Sequence, residues 1–372
     1  MTGINRRRFS QVLAGGLFAT SLPLQAGTAE RPGMLFASAC KSRDGRHLLL
    51  LVDEEGNEVL QHPLPGRAHH VACHPQQPLL AAVARRPERF IDLVDFRDKH
   101  LLQRIDAGEG RHFYGHAIFS GDGRYLISSE NRLSDGSGRI TLRDSQQGYA
   151  IVADHPSYGI GPHEIALLAG GSQLAIANGG ILTHPDKGRD KLNLDSMQPS
   201  LAIIDLHSGE LLEQQFMPPS LHQLSIRHLD VNARNEVIIA LQYQGDAWDD
   251  VPLVALHRPG QPLQLLRAPA GVNRQMKQYC GSARFDRSGR YAAVSSPRGD
   301  LITFWDSRDG RYISQSRVRD GCALSATGRA GEFLVTSGRG KAYHYDLLRG
   351  DKQLQPLQLQ QPVSWDNHMT LV

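Results

Sequence analysis

Five histidines, His70, His116, His163, His228 and His368, stand at one recurring position of a repeated strand pattern. An imidazole offers a neutral nitrogen to iron, copper or zinc, so several imidazoles converging on one point would form a transition-metal site. His116, His163, His228 and His368 are the metal-ligand candidates, and nearby carboxylates such as Glu130, Glu164 or Asp366 would complete a harder donor set. The spacing selects no particular metal. The other role open to each histidine is to cap a turn by hydrogen-bonding loop backbone, and Gly115-His116 has the form of the Gly-His pair that does so in WD-type blades.

Convergence requires elements that bring distant residues together. HAIFSGDGRYLISSEN from His116 and HEIALLAGGSQLAIAN from His163 each read as an apolar strand, a Gly turn and a second apolar strand. The frame recurs from His70, His228, Gly281 and Gly321, and the chain closes on HMTLV from His368. These starts lie 40 to 65 residues apart, which is the period of four-stranded propeller blades. The chain is therefore expected to be all-β, a seven-bladed β-propeller. The last start leaves no room for further strands, whereas MLFASACK, HLLLLVDEEG and EVLQHPLP near the N-terminus lack a first one. The C-terminal strand should join the N-terminal blade, so that no sheet edge stays open.

In such a ring the first strand of each blade lies nearest the central channel. The loops before it and between the second and third strands open on one face. There the frame gathers the five histidines with Arg85, Glu130, Asn131, Asn178, Gln242, Tyr243, Gln244, Arg298 and Arg339 from loops after second strands. The polar segments LHQLSIRH and WDNH add Arg227 and Asp366. Arg227 would either hold a carboxylate or other anion in bidentate fashion or pair with a neighbouring blade. The longest interval contains an insertion, NGGILTHPDKGRDKLNLDSMQPS at 178–200, which carries His184, Asp186, Lys187, Arg189 and Asp195. Its Gly, Pro, Asn and Asp content makes it a loop, either a lid or docking element or a decorated surface segment.

The N-terminal NRRRFSQVLAGGLFATSLPLQAG matches a twin-arginine export signal through Arg6, Arg7 and Phe9, with cleavage expected after Ala26 and residues 27–372 forming the propeller. A periplasmic location follows. The apolar part is too short and too rich in Gly and Pro for a transmembrane helix, so no membrane span is expected after cleavage. The whole chain has 41 Lys+Arg against 38 Asp+Glu, and losing Arg6, Arg7 and Arg8 removes the excess. A neutral protein lacks the basic footprint that nucleic acid requires, so no such partner is expected. Cys40, Cys73, Cys280 and Cys322 show no CxxC or CxxCH spacing, which argues against attached haem and thiolate zinc. Cys280 and Cys322 fall near the starts of neighbouring inner strands, and either pair or remain buried thiols.

The export segment, YGHAIFSGDGRYLISSEN, GIGPHEI, the insertion, LHQLSIRHL and WDNH together resemble the bacterial family called domain of unknown function 1513, over essentially the whole chain. That family is similar in fold to the heavy chain of quinoprotein amine dehydrogenases and to other YVTN/WD40-like propellers. The resemblance implies the fold and supplies no catalytic residues. Members of the family accompany imelysin-type and dihaem-peroxidase-like periplasmic proteins, which implies a link to iron handling and an iron-related partner. Three functions remain in order: a binding or accessory protein for a metal, a quinoprotein-like dehydrogenase component or lactonase-type enzyme, and a docking scaffold. The three tryptophans are scattered and no calcium set, Ser-His-Asp pattern or P-loop stands out, so the reading leans away from an enzyme.

Overall fold

A strand such as Leu79–Ala84, LLAAVA, is apolar and buried at every position, which suits a sheet covered on both faces by neighbouring sheets. His100–Asp106, HLLQRID, is exposed at all but Ile105, as expected of a polar outer edge. In the computed structural model, which describes residues 33–85, 87–188, 190–349 and 354–372, such strands form seven antiparallel sheets arranged as propeller blades. Blades 2 to 7 follow one another along the chain. Their innermost strands are Ala68–Cys73, Arg111–Phe119, Pro162–Leu167, Leu224–Val231, Ser282–Phe285 and Gly321–Ala326, each followed outward by three partners.

Blade 1 is built from both ends of the chain. Leu35–Ser42, His47–Asp53 and Glu58–Leu64 come from the N-terminal side, and the inner strand is supplied by Val363–Trp365 and Thr370–Leu371. Cys40 pairs with Trp365 and Phe36 with Leu371, so the ring is closed by main-chain hydrogen bonds. Apolar side chains fill the space between every pair of adjacent blades. Fully buried residues such as Leu80 and Phe333 each contribute roughly 1.5–3 kcal/mol by leaving water. Cys40, Cys73, Cys280 and Cys322 are all free, so the possible Cys280–Cys322 bridge is not formed.

One local irregularity matters for function. The inner strands slip register between Ala68 and His70, between Phe113 and Ala117, between Pro162 and Ile165, and between Ile226 and His228. A β-bulge breaks the two-residue alternation and re-aims a side chain. These four slips fall at histidines, whereas a fifth, between Gly321 and Leu324 on the inner strand of blade 7, does not.

The insertion after Asn178 carries two short 3-10 turns, Pro185–Lys187 and Leu194–Ser196. Asn193 ties its ends by accepting from the Leu182 amide at 2.7 Å and donating to the Gly180 carbonyl at 2.8 Å. Arg189 lies outside the described residues, as do the twin-arginine segment and its cleavage point. Among the described residues, no helix is long and apolar enough to cross a membrane.

Candidate metal centre

The bulges turn five imidazoles toward the channel axis, and the segment between Trp365 and Thr370 brings a sixth, His368, to the same place. His116 lies 4.5 Å from His368, 4.7 Å from His163, 5.0 Å from His70 and 5.1 Å from His69 between ring centroids. His228 closes the group at 4.7 Å from both His163 and His368. All six are between 1% and 7% exposed, so the rings form a plug across the channel. His116, Glu164, His228 and His368 present ligand atoms within 4.8 Å of one another, and so do His69, His116 and His163. Either set could hold a metal ion.

The backbone that carries these rings is held by side chains of the same blade and of an adjacent one. Ser38 donates to the His368 carbonyl at 2.6 Å and Ser129 to the His163 carbonyl at 2.8 Å. Gly115 has φ +101, and a Cβ there would stand 2.9 Å from Cδ2 of His69. This glycine makes room for the His69 ring. It does not belong to a turn-capping Gly-His pair, because both ring nitrogens of His116 are buried without a hydrogen-bond partner. Turn capping is instead done by His74, whose Nδ1 accepts from the Gln76 and Gln77 amides at 3.1 and 3.0 Å.

Burial keeps the cluster neutral. It pushes His70 down to about 4 and His69 down to about 3, the latter against the opposing effect of its hydrogen bond to Asp366. His116, His163 and His368 are held well below the ordinary imidazole value by burial, with further lowering from the neighbouring rings and, for His163, from Arg227. Burial raises the Glu164 carboxyl, but the Arg284 guanidinium and His228 outweigh it and bring it down to about 2. The ionised carboxylate accepts from Arg284 Nη2 at 2.8 Å and from His228 Nδ1 and the Leu229 amide, both at 3.2 Å. Neutral imidazoles beside an ionised carboxylate are the protonation states that metal ligation requires.

Other residues singled out in the sequence go to three places. Asp366, buried, supports His69. Arg227, Gln242, Tyr243 and Arg298 line a cavity of about 650 Å³ on the loop face, joined by Arg85 and Gln244. Glu130, Asn131, Asn178, His184 and Arg339 stand apart from both. Glu130 is fully buried between Arg143 at 2.6 Å and Arg111 at 3.2 Å, where it anchors blade 3. Asn131 and Asn178 donate to the Thr183 and Ser157 carbonyls, and His184 sits 3.6 Å from Asp186 on the insertion. Arg339 lines a separate cavity with Lys41, Arg43 and Asp320.

Farther along the inner strands, beyond the histidines, a second cavity of about 400 Å³ is lined by His70, Glu164, Arg284, Ala72, Ile118 and Asp230 among others. The plug therefore separates two vestibules. His69, in the cluster, Arg284, beside Glu164, and Lys191, on the wall of the larger cavity, are candidate positions that the repeat frame did not single out. The doublet His69-His70 was the visible signal for the first, whereas nothing in the sequence marks the other two.

The family model described as "Protein of unknown function (DUF1513)" matches residues 62–372. No curated protein matches the chain in sequence. Among solved structures, the hydrazine synthase of Kuenenia stuttgartiensis is similar, with a TM-score of 0.59, 13% identity, and coverage of 93% of this chain and 100% of the other. That likeness is one of fold alone.

Proposed function

The chain belongs to the DUF1513 family, and for this member we propose that the channel histidines form a transition-metal site and that the protein is a metal-binding periplasmic accessory. One observation carries the reading. His116, at the centre of the cluster, has two buried ring nitrogens and neither has a hydrogen-bond partner. His368 shares this property. A neutral imidazole always has one N–H and one lone pair, and each buried polar atom left unmatched costs about 1–3 kcal/mol. A cation among the rings satisfies the lone pairs and gives the cluster a reason to exist.

The donors suit a first-row metal. Three imidazoles with a carboxylate, His116, His228, His368 and Glu164, match iron, zinc or copper better than calcium or magnesium, which prefer oxygen ligands throughout. Iron is the metal favoured here, since the mixed nitrogen and oxygen set suits it and the family resemblance points the same way. On this reading the Arg6-Arg7-Phe9 segment directs export by the twin-arginine route, and the physiological partner is a periplasmic iron-related protein. Shared His116 gives the ion two adjacent positions, one toward His69 and His163 and one toward Glu164, His228 and His368.

Elemental analysis tests the proposal on protein exported to the periplasm and purified without chelator or affinity metal. Near-stoichiometric iron, copper or zinc is expected, and its loss in His116→Leu. A metal-free protein that also takes up none of the three when they are added overturns the assignment.

A further inference from the structure

The 650 Å³ cavity on the loop face is unlike the metal centre beneath it. Arg85, Lys191, Arg227 and Arg298 all line it, together with the amides of Gln242 and Gln278, and no carboxylate does so among the described residues. The lining comes from six separate places in the fold: the loops that follow the second strands of blades 2, 5 and 6, the inner strand of blade 5, the insertion, and the segment after the Ala270–Gln275 helix. Such a gathering of one sign of charge in a concave site focuses a positive potential. Its volume falls in the range of small-ligand sites.

Details of the wall show that the charges are held there. Arg298 lies 4.3 Å over the Tyr279 ring, and Lys191 reaches Gln244 Oε1 at 2.5 Å, which draws the insertion across the cavity. Burial, and then the like charges of Arg227 and Arg298, push the Lys191 ammonium below its ordinary value. Lys277 and Gln278 adopt φ of 49 and 53, a left-handed conformation that costs energy for residues other than glycine and places the Gln278 amide on the lining. Asp249, close by in sequence, is engaged by the Tyr243 hydroxyl at 2.7 Å.

We propose that this cavity binds a small polyanion, a di- or trianionic carboxylate or phosphate, between Lys191, Arg298 and Arg227. The guanidinium groups present flat pairs of N–H donors to carboxylate or phosphate oxygens, and Lys191 adds a point charge from the inserted segment. Gln242 and Gln278 shape the wall rather than donate to the ligand, since their side-chain amides already donate to the Cys280 carbonyl and to the Asp246 and Asp249 carbonyls. The insertion is thus a wall of a ligand site. This assignment goes beyond the metal reading and does not depend on it.

Calorimetric titration of the exported, chelator-stripped protein with citrate and, separately, with pyrophosphate tests it, with glycerol as a neutral control. Saturable binding of at least one anion is expected, weaker at high salt, and weaker by roughly tenfold in Lys191→Met and in Arg298→Gln, the effect of removing one charge-assisted contact. Binding of citrate alone assigns a carboxylate ligand and of pyrophosphate alone a phosphate ligand. Either protein variant that keeps the wild-type melting temperature is sufficient for the comparison. No heat from either anion at millimolar concentration, or equal binding by both folded variants, overturns the proposal. Because metal is absent throughout, failure of the metal site leaves this result untouched.

Discussion

Nδ1 of His69 lies 2.9 Å from Oδ1 of Asp366, a contact between blade 2 and the C-terminal segment of blade 1. Asp366 also accepts from Arg67 Nε at 2.6 Å. Burial raises its carboxyl, but His69 and Arg67 outweigh that and hold it well below the usual carboxylate range. An ionised carboxylate only accepts, so the His69 proton sits on Nδ1 and the Nε2 lone pair faces away from Asp366. That nitrogen is buried and has no hydrogen-bond partner. Carboxylate support of this kind fixes the tautomer of metal-binding histidines.

Asp366→Asn is therefore expected to weaken metal binding by about 10- to 100-fold, the usual consequence of losing an outer partner. Competition with a chromophoric chelator measures it. An affinity equal to wild type would remove His69 from the site.

His116→Leu separates ligation from packing. Both nitrogens of His116 are unmatched in the fold, so replacing the ring by an apolar side chain of similar size should leave the metal-free protein as stable as before or stabilise it by about 1 kcal/mol. Metal binding should be lost in the same variant. Urea midpoints and metal content, read on one preparation, check both halves.

The metal-free protein is expected to be acid-labile. His69 and His70 are lowered to about 3 and about 4 by burial, and His116, His163, His228 and His368 are lowered as well. Below about pH 6.5 these groups bind protons in the unfolded chain and not in the folded one. Stability is then lost as pH falls, by up to about 1.4 kcal/mol per pH unit for each such histidine. The loss continues down to the folded values of about 4 and about 3. Denaturant midpoints at pH 7.5, 6.5 and 5.5 should fall steeply, and less steeply in His116→Leu. A flat profile would mean that the rings are solvated.

Gly115→Ala places a methyl group 2.9 Å from His69 Cδ2 at φ +101. The variant should lose about 1–3 kcal/mol of stability through backbone strain and collision, and its metal affinity should fall as the His69 ring shifts. Thermal melts with and without metal give both numbers.

Arg227 follows directly before His228 on the inner strand and lines the cationic cavity, so an anion in the cavity would lower the positive potential at the proposed metal site. If both sites exist, an anion there should strengthen metal binding by about fivefold or more, and metal should strengthen anion binding equally. Sulfate, which competes weakly for metals in water, serves as the anion. Metal affinity that is independent of sulfate would show that the sites are uncoupled.

The repeat frame contained the ring, its seven blades and the closure of blade 1 by the C-terminal strand, because apolar alternation and turn residues report strands directly. It also contained the histidine position, since one inner strand per blade must carry the same residue to the same depth. What it could not contain is which way a side chain points once pairing slips. The slips at Ala68/His70, Phe113/Ala117, Pro162/Ile165 and Ile226/His228 override the two-residue alternation. They admit His69 beside His70 and bring Glu164 to the rings. Glu130 reads as a channel acid in sequence, yet Arg143 and Arg111 capture it within the blade. Arg339 shares its frame position with Arg298, yet it opens on another cavity. Lys191 reaches the loop face only through the path of the insertion, which Asn193 ties down. Strand period is a local property of the chain, whereas the aim of a bulged side chain and the partner of a buried charge are decided by residues tens to hundreds of positions away.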